Sequence, residues 1–258
     1  MQYNVPSLVS LHLCVINNKR QTLKNFLKIS IAIYCFLISD LSFAQISDDK
    51  RLWLHYFNSI KLNKKWSIDT DAAYLHQFDV TANRVQARSG AKYKINKNFS
   101  IRLGIGYFYV FDSEGANVSE IRPNQDLIGK HFLSRNKSWY FTQRARFEEQ
   151  FLTTTIQGEE NKEKDQKNRL RYSYMVRKAI NSWTFGIGGE MFINFNDKST
   201  NAFVNKHRAY AVINKKLNDN LALEAQYIRE DSFKNQQGSV HHADVLRLCV
   251  KQVIHTKK

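Results

Sequence analysis

Between Phe99 and Phe111 every second residue is apolar or aromatic: Phe99, Ile101, Leu103, Ile105, Tyr107, Tyr109 and Phe111. The positions between them include Ser100, Arg102, Gly104 and Gly106. A period of two sends alternate side chains to opposite faces of an extended strand, and thirteen residues exceeds the usual length of a globular strand. The pattern recurs on a fixed ruler. Trp66 and Phe78 stand twelve apart, as do Phe99 and Phe111, Trp139 and Phe151, and Trp183 and Phe195; Leu221 and Phe233 echo the spacing. Twelve is even, so both ends of each strand share the face of the apolar residues between them. At about 3.3 Å per residue and a tilt near 40°, twelve residues rise roughly 30 Å, the height of a hydrocarbon layer. Aromatics bracketing such a band predict the two interfacial girdles of a membrane barrel.

The intervening turns fit hairpins. Asn63-Lys64-Lys65, Asn96-Lys97-Asn98, Arg135-Asn136-Lys137 and Asn181-Ser182 each precede one of those aromatics by at most two residues. Asn accepts the left-handed backbone of tight turns, and Lys accepts exposure to water. Longer polar links run from Asp112 to Ser119, Leu152 to Gln166, Asn196 to Asn205 and Ser232 to Ser239. Short turns at one end and long loops at the other are the polarity of outer-membrane barrels. The predicted strands cover 51–62, 66–78, 83–95, 99–111, 120–133, 138–151, 167–180, 183–195, 205–215, 221–232 and 240–254. Single-chain bacterial barrels normally have even counts, so ten or twelve strands are expected. The expected fold is therefore all-β: an antiparallel up-and-down transmembrane β-barrel of about 10–12 strands. A soluble sandwich or lipocalin-like barrel also alternates, but its outward residues would be the polar ones.

Residues 1–44 read as a cleaved signal peptide. Lys19 to Lys28 form a basic segment, Ile29 to Ile38 an apolar one, and Ser42-Phe43-Ala44 a small-residue cleavage site. The apolar run is too short, and too interrupted by Lys28 and Asp40, for a membrane helix. Cys35 follows Tyr34 inside the apolar segment, a poor match to a lipidation site. The remainder, 45–258, fits one barrel domain. It keeps Cys249 alone, so neither an internal disulfide nor a cysteine metal site is expected. It carries 35 Lys and Arg against 22 acids, a formal charge of +13. On an exported β protein that excess points to an anionic membrane surface rather than to nucleic acid.

With the aromatic face toward lipid, the opposite face carries Asp69, Asp71, Arg84, Arg88, Lys92, Arg102, Arg144, Arg146, Glu148, Arg169, Arg171, Arg177, Glu190, Arg208, Glu224 and Arg247. Charges in a narrow low-dielectric interior must be paired or hydrated. Two readings use the same residues: a structural ion-pair lattice filling the lumen, and an arginine-lined path for small anions. For catalysis, Ser239, His241, His242 and Asp244 are the nearest material for a lipid hydrolase at the rim. No phosphate-binding glycine loop, nucleophile elbow or Cys/His metal cluster is present, so neither an enzyme nor a cofactor is expected. The polar segment Glu159 to Lys167 reads as a solvated hairpin tip within reach of outer-leaflet phosphates. The expected partners are outer-membrane lipids and, during insertion, the barrel-assembly machinery, with the protein a monomer.

Five motifs occur in order: Arg51-Leu-Trp-Leu, Arg144-Ala-Arg-Phe-Glu-Glu-Gln150, Arg169-Leu-Arg-Tyr172, Gly189-Glu-Met-Phe-Ile-Asn194 and Lys206-His-Arg-Ala-Tyr210. Through them the chain resembles, over roughly residues 50 to 254, the bacterial outer-membrane family called domain of unknown function twenty-four-ninety. The resemblance implies a barrel and supplies no activity, so no functional residue is carried over. The ending, Val253-Ile-His-Thr-Lys-Lys258, departs from the terminal aromatic on which bacterial barrels tend to finish.

Overall fold

The computed structural model describes residues 47–78, 82–112, 115–156, 162–195, 204–234 and 239–256. The expected signal peptide, the residues 159–161 of the hairpin tip and the center of the 196–205 link lie outside them. Eleven strands follow one another: β1 (Ser47–Lys61), β2 (Trp66–Gln77), β3 (Ala82–Lys94), β4 (Phe99–Asp112), β5 (Ala116–Phe132), β6 (Trp139–Ile156), β7 (Lys162–Ile180), β8 (Trp183–Asn194), β9 (Lys206–Lys216), β10 (Leu221–Lys234) and β11 (Ser239–His255). Each pairs antiparallel with its predecessor, and the sheet closes on itself.

The even count expected from the sequence is corrected to eleven. An odd number leaves the first and last strands running the same way, so the barrel closes through a parallel ladder. That ladder is long: fifteen residue pairs, from Ser47↔His241 to Lys61↔His255. A parallel pair hydrogen-bonds about as completely as an antiparallel one, so the edge problem is solved either way.

The turns repeat one device. In Leu62-Asn63-Lys64-Lys65-Trp66 the Asn63 Oδ1 accepts hydrogen bonds from the backbone N–H groups of Lys65 and Trp66, both at 2.8 Å. Asn96 does the same for Asn98 and Phe99 (2.8 and 2.9 Å), and Asn218 holds the N–H of Asn220 at 2.9 Å. Each is an Asx turn, in which the side chain replaces a backbone acceptor and fixes the register of the hairpin. The two-residue link Asn181-Ser182 puts Asn181 at φ 52°, the left-handed region that Asn tolerates.

At the opposite end the strands overrun their predicted limits. β5 begins at Ala116, β6 continues to Ile156, and β7 starts at Lys162. Pairs such as Leu152↔Asp165 and Thr154↔Glu163 carry the β6–β7 hairpin beyond the Phe151 girdle. The predicted links from Asp112 to Ser119, Leu152 to Gln166 and Ser232 to Ser239 are correspondingly shortened. Polar residues there signal water on both faces, not the end of the ladder, because backbone pairing is indifferent to side-chain polarity.

The apolar face is the outside. Leu103 is 63% exposed and Ile187 70%, and Trp66, Phe78, Trp139, Phe151, Trp183 and Phe195 are exposed with them. Phe99 and Phe111 share that face, half-buried among Tyr74, Tyr109 and His131. Pro123 lies at the middle of β5, where it pairs with Ile105 of β4, while the β5–β6 ladder is interrupted between Ile121↔Phe151 and Asn124↔Glu148. A proline can donate no ladder hydrogen bond, and the gap falls where its N–H would have been.

Candidate functional site: the charged lumen

Because β-strand side chains alternate, every residue paired in register with a lumen-facing one also faces the lumen. Rows of charge therefore run around the wall. One such row is Asp126–Arg146–Arg171–Phe192, across β5, β6, β7 and β8.

Three buried acids organize this side. Asp126 accepts from Arg146 Nε at 2.5 Å and Nη2 at 2.8 Å, with Arg102 3.6 Å away. Glu148, 1% exposed, receives Arg169 at 2.6 Å and Arg171 at 2.9 Å, with Arg146 at 3.5 Å and Arg122 at 3.8 Å. Glu190 receives Arg144 and Arg171, both at 2.9 Å, the Tyr210 hydroxyl at 2.6 Å, and Arg208 at 3.6 Å. Arg171 thus bridges Glu148 and Glu190. Charge-assisted, forked hydrogen bonds of this kind satisfy most of the lone pairs that burial strips of water.

The other expected residues fall on the same inner face. Asp71 binds Arg88 at 2.8 Å and His55 at 3.0 Å; Asp69 binds Lys92 at 2.5 Å; Glu224 binds Lys251 at 2.6 Å and Gln226. Arg102 also donates to Asn124 Oδ1 at 3.0 Å. It lies across the cross-strand pair Gly90↔Gly104, where an added Cβ would stand 2.7 Å from its guanidinium at either glycine. Two missing side chains make the space that this arginine fills. Arg84, Arg177 and Arg247 line the lumen as well, yet among the described residues none has a carboxylate within ion-pair distance.

Several participants escaped the sequence reading: Glu120, which binds Arg122 at 2.6 Å; Asp126; and Glu230, which holds Arg208 at 2.5 Å, Lys206 at 2.8 Å and Arg51 at 3.2 Å. The parity of β5 carried the signal, since Glu120, Arg122, Asn124 and Asp126 fall on its even positions opposite the exposed Ile121 and Leu127. Inward aromatics complete the wall. Arg122 stacks over Phe108 at 3.9 Å, Arg171, Arg208 and Arg169 over Phe192 at 4.6, 4.8 and 5.3 Å, and Arg247, Arg84 and Arg208 over Trp53 at 5.1, 5.6 and 6.0 Å. Between them lies a cavity of about 570 Å³ lined by twelve basic side chains and two carboxylates, Glu190 and Glu224.

The rim candidates for hydrolysis do not converge. His241 faces inward, its Nε2 3.2 Å from Asp49, whereas His242 and Asp244 face outward. His242 meets Asp231 at 2.5 Å, and Asp244 meets Tyr227 at 2.6 Å and Arg229 at 3.0 Å. The stretch is part of β11, so neighboring residues are divided by the wall; the side chain of Ser239 lies outside the description.

A closed sheet with an apolar exterior, aromatic bands and a charged interior defines a transmembrane β-barrel. Residues 50–240 match the family described as "Protein of unknown function (DUF2490)", and the chain belongs to that family. No curated protein matches it. Among solved structures it is similar to the translocator domain of the autotransporter NalP from Neisseria meningitidis, with 9% identity and a TM-score of 0.50 over 71% of this chain and 74% of that one. It is also similar to the NanC porin, with 15% identity and a TM-score of 0.45 over 75% of this chain and 90% of that one. At such identities the likeness is one of fold.

Proposed function

We propose that this protein is an envelope barrel of the bacterial outer membrane whose lumen is braced by its own ion pairs. One observation carries the reading: Asp126, Glu148 and Glu190 are each approached by at least two guanidinium groups, and these come from β4, β5, β6, β7 and β9. Such cross-links tie neighboring strands along the inner wall, and the near-complete burial of the three acids suits a packed interior more than a water-filled pore. The apolar exterior and its aromatic bands suit outer-membrane lipids, and insertion then falls to the barrel-assembly machinery. The short Asn-rich turns face the periplasm in this reading, and the protein acts as a monomer.

The test is fractionation followed by gel mobility with and without boiling, then recording in planar bilayers. An outer-membrane protein that shifts on boiling and stays electrically silent supports the reading. A second reading, a narrow passive channel for small anions, draws on the cavity with its excess of basic residues. Steady, anion-selective conductance would replace the first reading with the second.

A further inference from the structure

We propose that the side of the lumen where β11 meets β1 is a binding site for a small organic oxyanion: a carboxylate or phosphoryl head on a ring or short apolar body. The proposal rests on the reading that the charged face encloses a lumen, and it adds a ligand class that the braced-barrel reading does not contain.

Four residues lie on one row of the wall, in register: Arg247, Trp53, Leu75 and Arg84. Trp53 and Leu75 belong to the apolar cluster of the interior, with Ile228 and Val245. Of that cluster Trp53 lines the cavity, and its indole gives this part an apolar floor among guanidinium groups. Arg84 and Arg247 have no carboxylate partner among the described residues; Arg247 donates to Gln226, and both stack on the Trp53 ring. Arg208, the third guanidinium over Trp53, is engaged by Glu230.

Three unsatisfied buried atoms lie on this row. Trp53 Nε1, Arg84 Nε and Arg247 Nε are buried and have no hydrogen-bond partner. All three are donors. A buried donor without an acceptor is costly, so three on one row ask for a group that accepts several hydrogen bonds. An oxyanion supplies the acceptors and the negative charge, and an apolar body would cover Trp53. A bare inorganic anion would leave that floor uncovered, and a neutral ring would leave the donors unmet.

The experiment is calorimetric titration of the full-length barrel in detergent, after a boiling-dependent gel shift has verified folding. The probes are phenylphosphonate, inorganic phosphate and benzyl alcohol. The expected result is saturable binding of phenylphosphonate, at least tenfold tighter than phosphate, with no binding of benzyl alcohol. Arg84→Gln and Arg247→Gln should each weaken phenylphosphonate by tenfold or more, while Arg135→Gln, at an exposed turn, should bind like wild type. Absence of saturable binding to wild type overturns the site, and so does equal affinity for phosphate or unchanged affinity in both Gln variants. Should those variants lose the gel shift, wild-type tryptophan emission decides. Trp66, Trp139 and Trp183 lie on the outer face and Trp53 inside, so the ligand must change the emission saturably, and the change must vanish in Trp53→Phe. A persisting or absent change overturns the site. A heat-modifiable, membrane-located barrel without binding refutes only this inference; a protein with no gel shift refutes the barrel reading as well.

Discussion

On β5 to β8 the buried carboxylates Asp126, Glu148 and Glu190 are each surrounded by guanidinium groups drawn from neighboring strands. On the row through Arg247, Trp53, Leu75 and Arg84 the guanidinium groups meet an indole ring and aliphatic carbon instead. Both regions use arginine on the same inner face. In the first, arginine is a strut whose removal leaves opposing charge behind. In the second it is a donor held ready, and its removal breaks no ion pair. Placement of the acids, not of the arginines, separates structure from readiness to bind.

The sharpest way to break that contrast is Glu148→Ala. It strips Arg169 of its carboxylate and Arg171 of one of its two, and should destabilize the barrel by about 3–5 kcal/mol, measured by urea unfolding in detergent. A loss below about 1 kcal/mol would mean that water, rather than the lattice, carries these charges. Leu103→Arg, on the lipid face, should cost about 2–4 kcal/mol in lipid vesicles; a variant as stable as wild type there would reverse the assignment of faces. Gly104→Val crowds Arg102 and the Ser89 carbonyl and should cost about 1–3 kcal/mol by the same unfolding assay. The smallest effect belongs to the seam. Arg84→Met should change stability by less than about 1 kcal/mol, because no carboxylate is orphaned and a buried, unpaired charge is removed. A loss matching that of Glu148→Ala would dissolve the distinction between the two regions.

The strands and their outward face were legible because lipid imposes a strict rule: every second residue must be apolar across a fixed thickness. Phe99 to Phe111 obeys it throughout, and the Asn-containing turns state the register locally. The strand ends beyond the girdles were less legible. Outside the hydrocarbon both faces are wet, and the alternation that marks Phe99 to Phe111 gives way to the polar run Thr153 to Thr155, still paired with β7. Glu120, Arg122 and Asp126 lie within the predicted strand 120–133 and its parity places them inward; Pro123 among them removes one ladder bond and no more.

The sequence by itself determined that the chain is a barrel, which residues face lipid, and which kinds of charge the interior must hold. These follow from local periodicity and the thickness of a membrane. Closure by a parallel β1–β11 seam was decided only in the tertiary structure, since it depends on strands nearly two hundred residues apart. So was the pairing of the interior. Glu148 and Arg84 are equally inward and equally charged in the sequence; only the folded wall brings guanidinium groups to the one and an unmet tryptophan ring to the other.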